Sequence, residues 1–398
     1  MPGCFQEVLT DVTENVYRDC YQLSSDNFPG MECPSWCVRK FTLKGGKQHG
    51  VDVVSIDNGH MTVVVVPTRG MNIQEAHTAD LRLGWNSPVK GMVHPAYVDE
   101  EARGGLGWIE GFTELMCRCG LAFHGAPGED FVSDNTGAQT SVMLPLHGTI
   151  SNTPATRVVV RVDLGPPHAL SVLGEVVDSR MFGPSYRLVS TVSTVPGSAE
   201  FTVSDRMENV GGSSSELELL YHCNYGPPLL GEGSRLLAPV QFICPRDARA
   251  KQDMATWNSY GPPEPGFVEQ CYFLRMHSDR QGRTVVALAD PQGDCAATIR
   301  YSVNELPAFT IWRNTAAQED GYVTGLEPAT DYPNARSFER SKGRVIELPS
   351  TGAYEVSLTF GLVVGGDQVA RLRGEISSLT EGKETTVCED PDSDYCPM

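Results

Sequence analysis

The chain lacks any run of 18 consecutive apolar residues among its 398, so no membrane-spanning helix of ordinary length is expected. Basic charge is scarce too. Lys and Arg number 31 against 50 Asp and Glu, a formal net charge of −19. Nucleic acid and anionic membrane surfaces are bound through clustered cations, so neither is expected as a partner. The N-terminal stretch MPGCFQEVLTDVTENVYRD has neither the basic nor the apolar region of a secretory signal, and a cytoplasmic location is expected. The common nucleophile, zinc-protease and phosphate-loop motifs G-x-S-x-G, H-E-x-x-H and G-x-x-x-x-G-K-[ST] are also missing. Twelve cysteines are present, but Cys33-Pro-Ser-Trp-Cys37 and Cys117-Arg-Cys119 lack a second pair at zinc-site spacing. They are expected to be reduced thiols that pack as small apolar residues.

What the chain has in quantity is turn chemistry. Forty glycines, 27 prolines and only 20% charged residues favour many short strands over long helices. The length allows two ordinary domains or one large all-β body. Residues 38–43 and 50–56 alternate around Gly45-Gly46, a hairpin pattern. Residues 61–66 form a β-branched run that reads as a buried strand and ends at Pro67-Thr68-Arg69-Gly70. Arg69 there either caps the sheet edge or faces a ligand. Residues 104–111, GGLGWIEG, wall a pocket with Trp108 or simply pack, and FTELMCRCGL after them reads as a short helix. From residue 138 onward, strand-like runs recur every ten to fifteen residues with Gly, Pro or Asn between them, the all-β spacing. Three parts are expected: a loosely attached arm with one short helix (1–36), a single β-sandwich domain (37–378), and an acidic disordered tail (379–398).

Three polar groups stand at predicted strand ends. Glu327 lies between the strand-formers Val323-Thr324 and a Pro/Asn-containing segment; it is either a solvated loop residue or an acid aimed into a cleft. His147 follows the run 142–146, and His222 ends LELLY. An imidazole facing a carboxylate across a small cavity is an acid–base pair. The spacing leaves open a metal site of His147, His222 and Glu327, since distant strands would supply the ligands. His49, His60, His77, His168 and His277 sit in polar turns and read as solvated; His94 and His124 stay undecided. Trp312, Trp257 and Tyr322 are either core aromatics or platforms for the apolar face of a sugar ring.

The segments PTRGMNI, GWNSP, GFTELMCRCGL, LPLHGTISNTPA, LLYHCNYGPPLL, EPGFVEQ, LPAFTIWRN and YVTGLEPAT together resemble the galactose mutarotase-like superfamily, specifically its DUF4432-type, aldose 1-epimerase-related branch. The resemblance implies a large antiparallel β-sandwich (a supersandwich) with a few short helices, and a carbohydrate cleft on one concave face. It implies a cofactor-free enzyme that interconverts sugar anomers by opening and reclosing the ring. Glu327 resembles the general base and His222 the general acid. His147 resembles the substrate-orienting histidine and Arg69 the arginine that holds sugar hydroxyls. Asn224, Glu269 and Trp312 complete the candidate substrate contacts. The segment Tyr221-His222-Cys223-Asn224-Tyr225-Gly226 departs from the Asn-His-x-Tyr-Phe-Asn type of authentic galactose mutarotases, which opens the choice of sugar to aldoses, ketoses, uronates and modified sugars. The alternatives are a non-catalytic carbohydrate-binding protein and a metal-dependent sugar epimerase. The expected partner is a small-molecule sugar, and the expected assembly a monomer or homodimer.

Overall fold

Along the strand Ser215–Tyr225, side chains alternate between two environments. Leu217, Leu219, Tyr221, Cys223 and Tyr225 join the principal apolar core, whereas Leu220 belongs to a separate cluster. A strand turns successive side chains to opposite faces. Glu218, His222 and Asn224 therefore share the face of Leu220, away from the principal core. This strand is central in a 14-stranded sheet, between Met116–Leu121 and Val323–Ala329.

The computed structural model describes residues 3–397 as two large sheets packed face to face, with a projecting hairpin of Gly128–Ser133 and Gln139–Leu144. A ten-stranded sheet contributes Val160, Val172, Leu188, Val203 and Leu358 to the core between them. The 14-stranded sheet answers with Val54, Val65, Leu219, Tyr221 and Ile311. Nearly all strand pairs are antiparallel; Thr386–Val387 runs parallel to Val240–Pro245. The expected all-β sandwich with short helices is what forms. The longest helix is Gly366–Thr380, and no described helix is long and apolar enough to cross a membrane.

One ion pair crosses this core. Arg118 and Asp205 have fully buried side chains, with Nε to Oδ2 at 2.5 Å and Nη2 to Oδ1 at 3.1 Å. Arg118 also donates to Ser190 Oγ (2.7 Å) and to the carbonyls of Gly70 (3.1 Å) and Met71, while Tyr221 donates its hydroxyl to Asp205 (2.8 Å). The ion pair thus ties Met116–Leu121, which pairs with the strand that carries His222, to the opposite sheet.

Several expectations need correction. The predicted helix in FTELMCRCGL is instead the strand Met116–Leu121. Met116 and Arg118 face the inter-sheet core and Cys117 and Cys119 the other face, an alternation that a uniformly buried segment hides. The arm (1–36, of which Met1 and Pro2 lie outside the described residues) is built into both sheets. Cys4–Asp11 pairs with Arg157–Asp163, Cys20–Ser24 pairs with Cys37–Thr42, and among the described residues of the arm the only helical piece is the 3-10 turn Ser25–Asn27. The tail expected to be disordered (379–398, with Met398 outside the described residues) is docked. Cys396 is buried, and Tyr395 stacks on Phe242 at 4.3 Å. Tail composition misled because a few anchors, not average charge, hold it. His168 and His277 are buried rather than solvated. All twelve cysteines are unpaired; six are buried as packed apolar residues, whereas Cys4 and Cys20 are exposed rather than packed.

Candidate active site

Three adjacent strands build the site on the face of the large sheet that the second sheet leaves uncovered. His222 comes from Ser215–Tyr225, Glu327 from Val323–Ala329, and Thr310 and Trp312 from Ala308–Asn314. Thr310 pairs directly with Glu327 across the ladder, and Asn224 with Gly325. His222 Nε2 lies 3.2 Å from Glu327 Oε1, although without the alignment of a hydrogen bond. Gly325 makes that approach possible: a Cβ there would sit 2.3 Å from Glu327 Oε1 and 3.0 Å from His222 Cε1.

Asn224 sets the state of the imidazole. Its Nδ2 donates to the carbonyls of Glu114 and His222, each at 3.0 Å, which turns Oδ1 toward His222 Nδ1 at 2.7 Å. Nδ1 then carries the hydrogen, and Nε2 is the nitrogen that exchanges a proton with Glu327. Burial pushes Glu327 well above the ordinary carboxylic range, helped by Glu269 and opposed by Arg246. Burial also pulls His222 well below the ordinary imidazole value, helped by His147 and opposed by the Asn224 bond. Both shifts favour a pair that holds one proton and no net charge.

Around this pair stands an aromatic collar. Ring centroids place Phe112 at 5.0 Å, His147 and Trp312 at 5.4 Å, and Trp108 at 6.1 Å from His222. His147 adopts φ +59°, a left-handed conformation that a non-glycine residue holds only when its surroundings enforce it. Here its Nδ1 donates to the His124 carbonyl (2.8 Å), its amide donates to Gly125 O (3.1 Å), and Trp108 lies edge-on at 4.6 Å. Burial lowers its pKa to about 4, so the ring is neutral at pH 7 with Nε2 unprotonated. At the rim, Glu269 accepts from Trp312 Nε1 (2.7 Å) and pairs with Arg246 (3.1 Å).

Trp108 Nε1, Thr310 Oγ1 and Glu327 Oε1 are buried without a hydrogen-bonding partner among the described residues, and so is Arg69 Nη2. Buried polar atoms are rarely left so. Such a concentration beside an acid–base pair suits a ligand rich in hydroxyls.

The structure gathers His222, Glu327, His147 and Trp312 and puts Glu269 at their edge. Two expected substrate contacts have most of their polar atoms engaged elsewhere. Asn224 is fully buried with its amide committed to His222 and two carbonyls, so it positions the histidine instead of meeting a ligand. Arg69 is fully buried; its Nε is paired with Glu114, and its Nη1 donates to Val93 O (3.1 Å) and Asn152 Oδ1 (2.7 Å). Only Nη2 is left without a hydrogen-bonding partner among the described residues. Glu114, unseen as its counter-ion in the sequence, takes most of the guanidinium. Trp257 and Tyr322 pack with the principal core. Phe112 and Gly325 were not singled out; the GWIEGF and TGLEP patterns contained them, but nothing in spacing marks a residue that matters by its ring position or its missing Cβ. The metal reading of His147, His222 and Glu327 lacks converging ligand atoms; among the described residues only His124, Glu218 and Asp331 converge in that way. A groove of about 1100 Å³ beside the projecting hairpin includes none of the acid–base or collar groups.

Comparison with known proteins agrees with this architecture. A family model described as "Domain of unknown function (DUF4432)" matches residues 48–362. The crystal structure of a "putative aldose 1-epimerase" from Klebsiella pneumoniae is 33% identical, covers 98% of this chain and 99% of its own, and superposes with a TM-score of 0.91. A galactose mutarotase-like protein from Clostridium acetobutylicum is 12% identical over 87% of this chain and 99% of its own, with a TM-score of 0.56. The galactose 1-epimerase of Lactobacillus acidophilus is 10% identical over 82% and 98%, with a TM-score of 0.53. These two share the fold alone. No curated protein matches. On the family match and the near-complete superposition, the chain belongs to the DUF4432 family and has a galactose mutarotase-like β-sandwich fold.

Proposed function

We propose that the protein is a cofactor-independent sugar mutarotase of the aldose 1-epimerase type. The observation that carries the reading is the 3.2 Å contact between the buried His222 Nε2 and Glu327 Oε1. A cyclic sugar exposes two oxygens on one carbon, the anomeric hydroxyl and the ring oxygen. Two proton-exchanging groups side by side match that O–C–O unit.

With sugar seated over both groups, Glu327 takes the anomeric hydroxyl proton. The electron pair left on that oxygen forms the carbonyl, the bond from the anomeric carbon to the ring oxygen breaks, and His222 Nε2 delivers its proton to that oxygen. The step starts with carboxylate and imidazolium and leaves both groups neutral. Burial favours the neutral pair, so the protein environment stabilises the open-chain stage relative to the start. Rotation about the first carbon–carbon bond and reclosure with reversed proton transfers yield the other anomer and restore the pair. Asn224 keeps Nδ1 out of the exchange. His147 Nε2, Arg69 Nη2 and the Trp108 and Thr310 polar atoms supply hydrogen bonds to sugar hydroxyls, and Trp312 packs against the ring.

The test is anomer exchange followed by polarimetry or NMR on a panel of freshly dissolved aldoses, ketoses and uronates. Acceleration of at least one sugar is expected. Binding of a sugar without acceleration of any would establish the non-catalytic carbohydrate-binding alternative instead.

A further inference from the structure

The site-bearing strands carry a second cluster. On Ser215–Tyr225, Glu218 lies four residues before His222; beyond Val323–Ala329, Asp331 lies four residues after Glu327. The strands are antiparallel, and Leu220 pairs with Ala329, so the two acids lie at the same end. At strand rise this is about 13 Å from the acid–base pair. His124 joins them. The side chains of His124, Glu218 and Asp331 are fully buried, and one nitrogen or oxygen atom from each lies within 4.8 Å of the others. His124 Nε2 contacts Asp331 Oδ1. Neither oxygen of Glu218 has a hydrogen-bonding partner among the described residues, nor does Asp331 Oδ2 or His124 Nδ1.

We propose that His124, Glu218 and Asp331 bind a divalent transition-metal ion, Zn²⁺ or Mn²⁺, at a site separate from the His222–Glu327 pair. The donor set is one imidazole nitrogen and two carboxylates, borderline-soft with hard ligands, which suits these ions. Ligands held about 2.1 Å from one ion stand about 3.4 Å apart at tetrahedral angles; atoms already within 4.8 Å of one another reach that spacing by small adjustments, with the His124–Asp331 contact parting. The ion satisfies the orphaned oxygens of Glu218 and offsets the charge of the two acids, which have no ion-pairing Arg or Lys among the described residues. It also has a structural consequence for the neighbouring site. The His124 carbonyl accepts from His147 Nδ1 at 2.8 Å, so a metal that fixes His124 fixes the orientation of His147. The proposal does not depend on the mutarotase reading, since its readouts are metal content and position.

The full chain is expressed in medium supplemented with Zn²⁺ and Mn²⁺, so that a buried site fills during folding, and its metal is measured by mass spectrometry after dialysis against chelator. About one ion per chain is expected, with an anomalous-scattering peak among His124, Glu218 and Asp331 in wild-type crystals. Glu218→Gln and His124→Gln are expected to fall below about a tenth of the wild-type content, while Glu327→Gln keeps it. If either of the first two variants fails to fold, the wild-type anomalous map decides. A metal-free wild type, in which protons alone satisfy the two acids, overturns the proposal; so does a peak anywhere else, or unchanged metal in folded Glu218→Gln.

Discussion

Replacing Asp205 by Ala should destabilise this protein more than any single change on its surface. The substitution leaves the Arg118 guanidinium buried between two sheets without its counter-charge, because its remaining partners are Ser190 and two backbone carbonyls. Breaking a buried ion pair from one side costs about 3–5 kcal/mol. Tyr221 loses its acceptor as well, which adds about 1 kcal/mol. At about 2.1 cal/mol/K per residue, the unfolding entropy of 398 residues is about 0.8 kcal/mol/K, so a loss of about 4 kcal/mol lowers Tm by about 5 °C. Arg118→Met with Asp205→Leu removes both charges and should recover more than half of that loss. The control is Asp279→Ala, which breaks an ion pair whose Arg283 is 73% exposed and should cost less than about 1 kcal/mol. Urea unfolding followed by tryptophan fluorescence, with thermal scans alongside, measures all three. An Asp205→Ala midpoint indistinguishable from that of Asp279→Ala would refute the claim that this pair is dry and inter-sheet.

Other expectations concern the site. Gly325→Ala should leave the fold intact but push Glu327 away from His222, lowering kcat by about tenfold or more, a drop read in the exchange assay. Asn224→Ala should release the His222 tautomer and lower kcat by about 10²–10⁴-fold; ¹⁵N shifts of the ring nitrogens should show Nδ1 losing its fixed hydrogen. Trp312→Ala should raise KM by roughly 2- to 12-fold, with a smaller change in kcat, if the ring packs on sugar. The pH dependence follows from the signs of the shifts. His222 is depressed, so the pair takes up a second proton only well below pH 6.5; Glu327 is raised, so the pair loses its one proton only well above pH 4.5. The acid limb of kcat/KM should therefore be centred well below pH 6.5, and an acid limb centred at or above that value would contradict the coupled pair.

Much of the fold was legible because strand periodicity and turn residues are local signals. The hairpin around Gly45-Gly46 forms as Cys37–Thr42 paired with Asp52–Asp57. Segments buried on both faces were less legible: Met116–Leu121 shows no hydrophobic alternation, since one face packs the inter-sheet core and the other the aromatic collar. The docked tail depends on Tyr395 meeting Phe242, and Asn334 meeting the Tyr395 carbonyl, contacts between distant parts of the chain. Candidate site residues were found where an unusual polar type closes a strand, as with His222 and Glu327. The partners that set their chemistry were not. Asn224 reads as one more polar residue, Glu114 gives no sign that it neutralises Arg69, and Gly325 acts through space it leaves empty.

The most direct test is the exchange rate of Glu327→Gln on whichever sugar the wild type accelerates, measured by NMR beside the affinity for that sugar. The amide keeps the shape of the carboxylate but cannot take the anomeric proton. A kcat lower by about 10²–10⁴-fold with Kd nearly unchanged is expected. Exchange as fast as the wild type would contradict this and remove Glu327 from the chemistry.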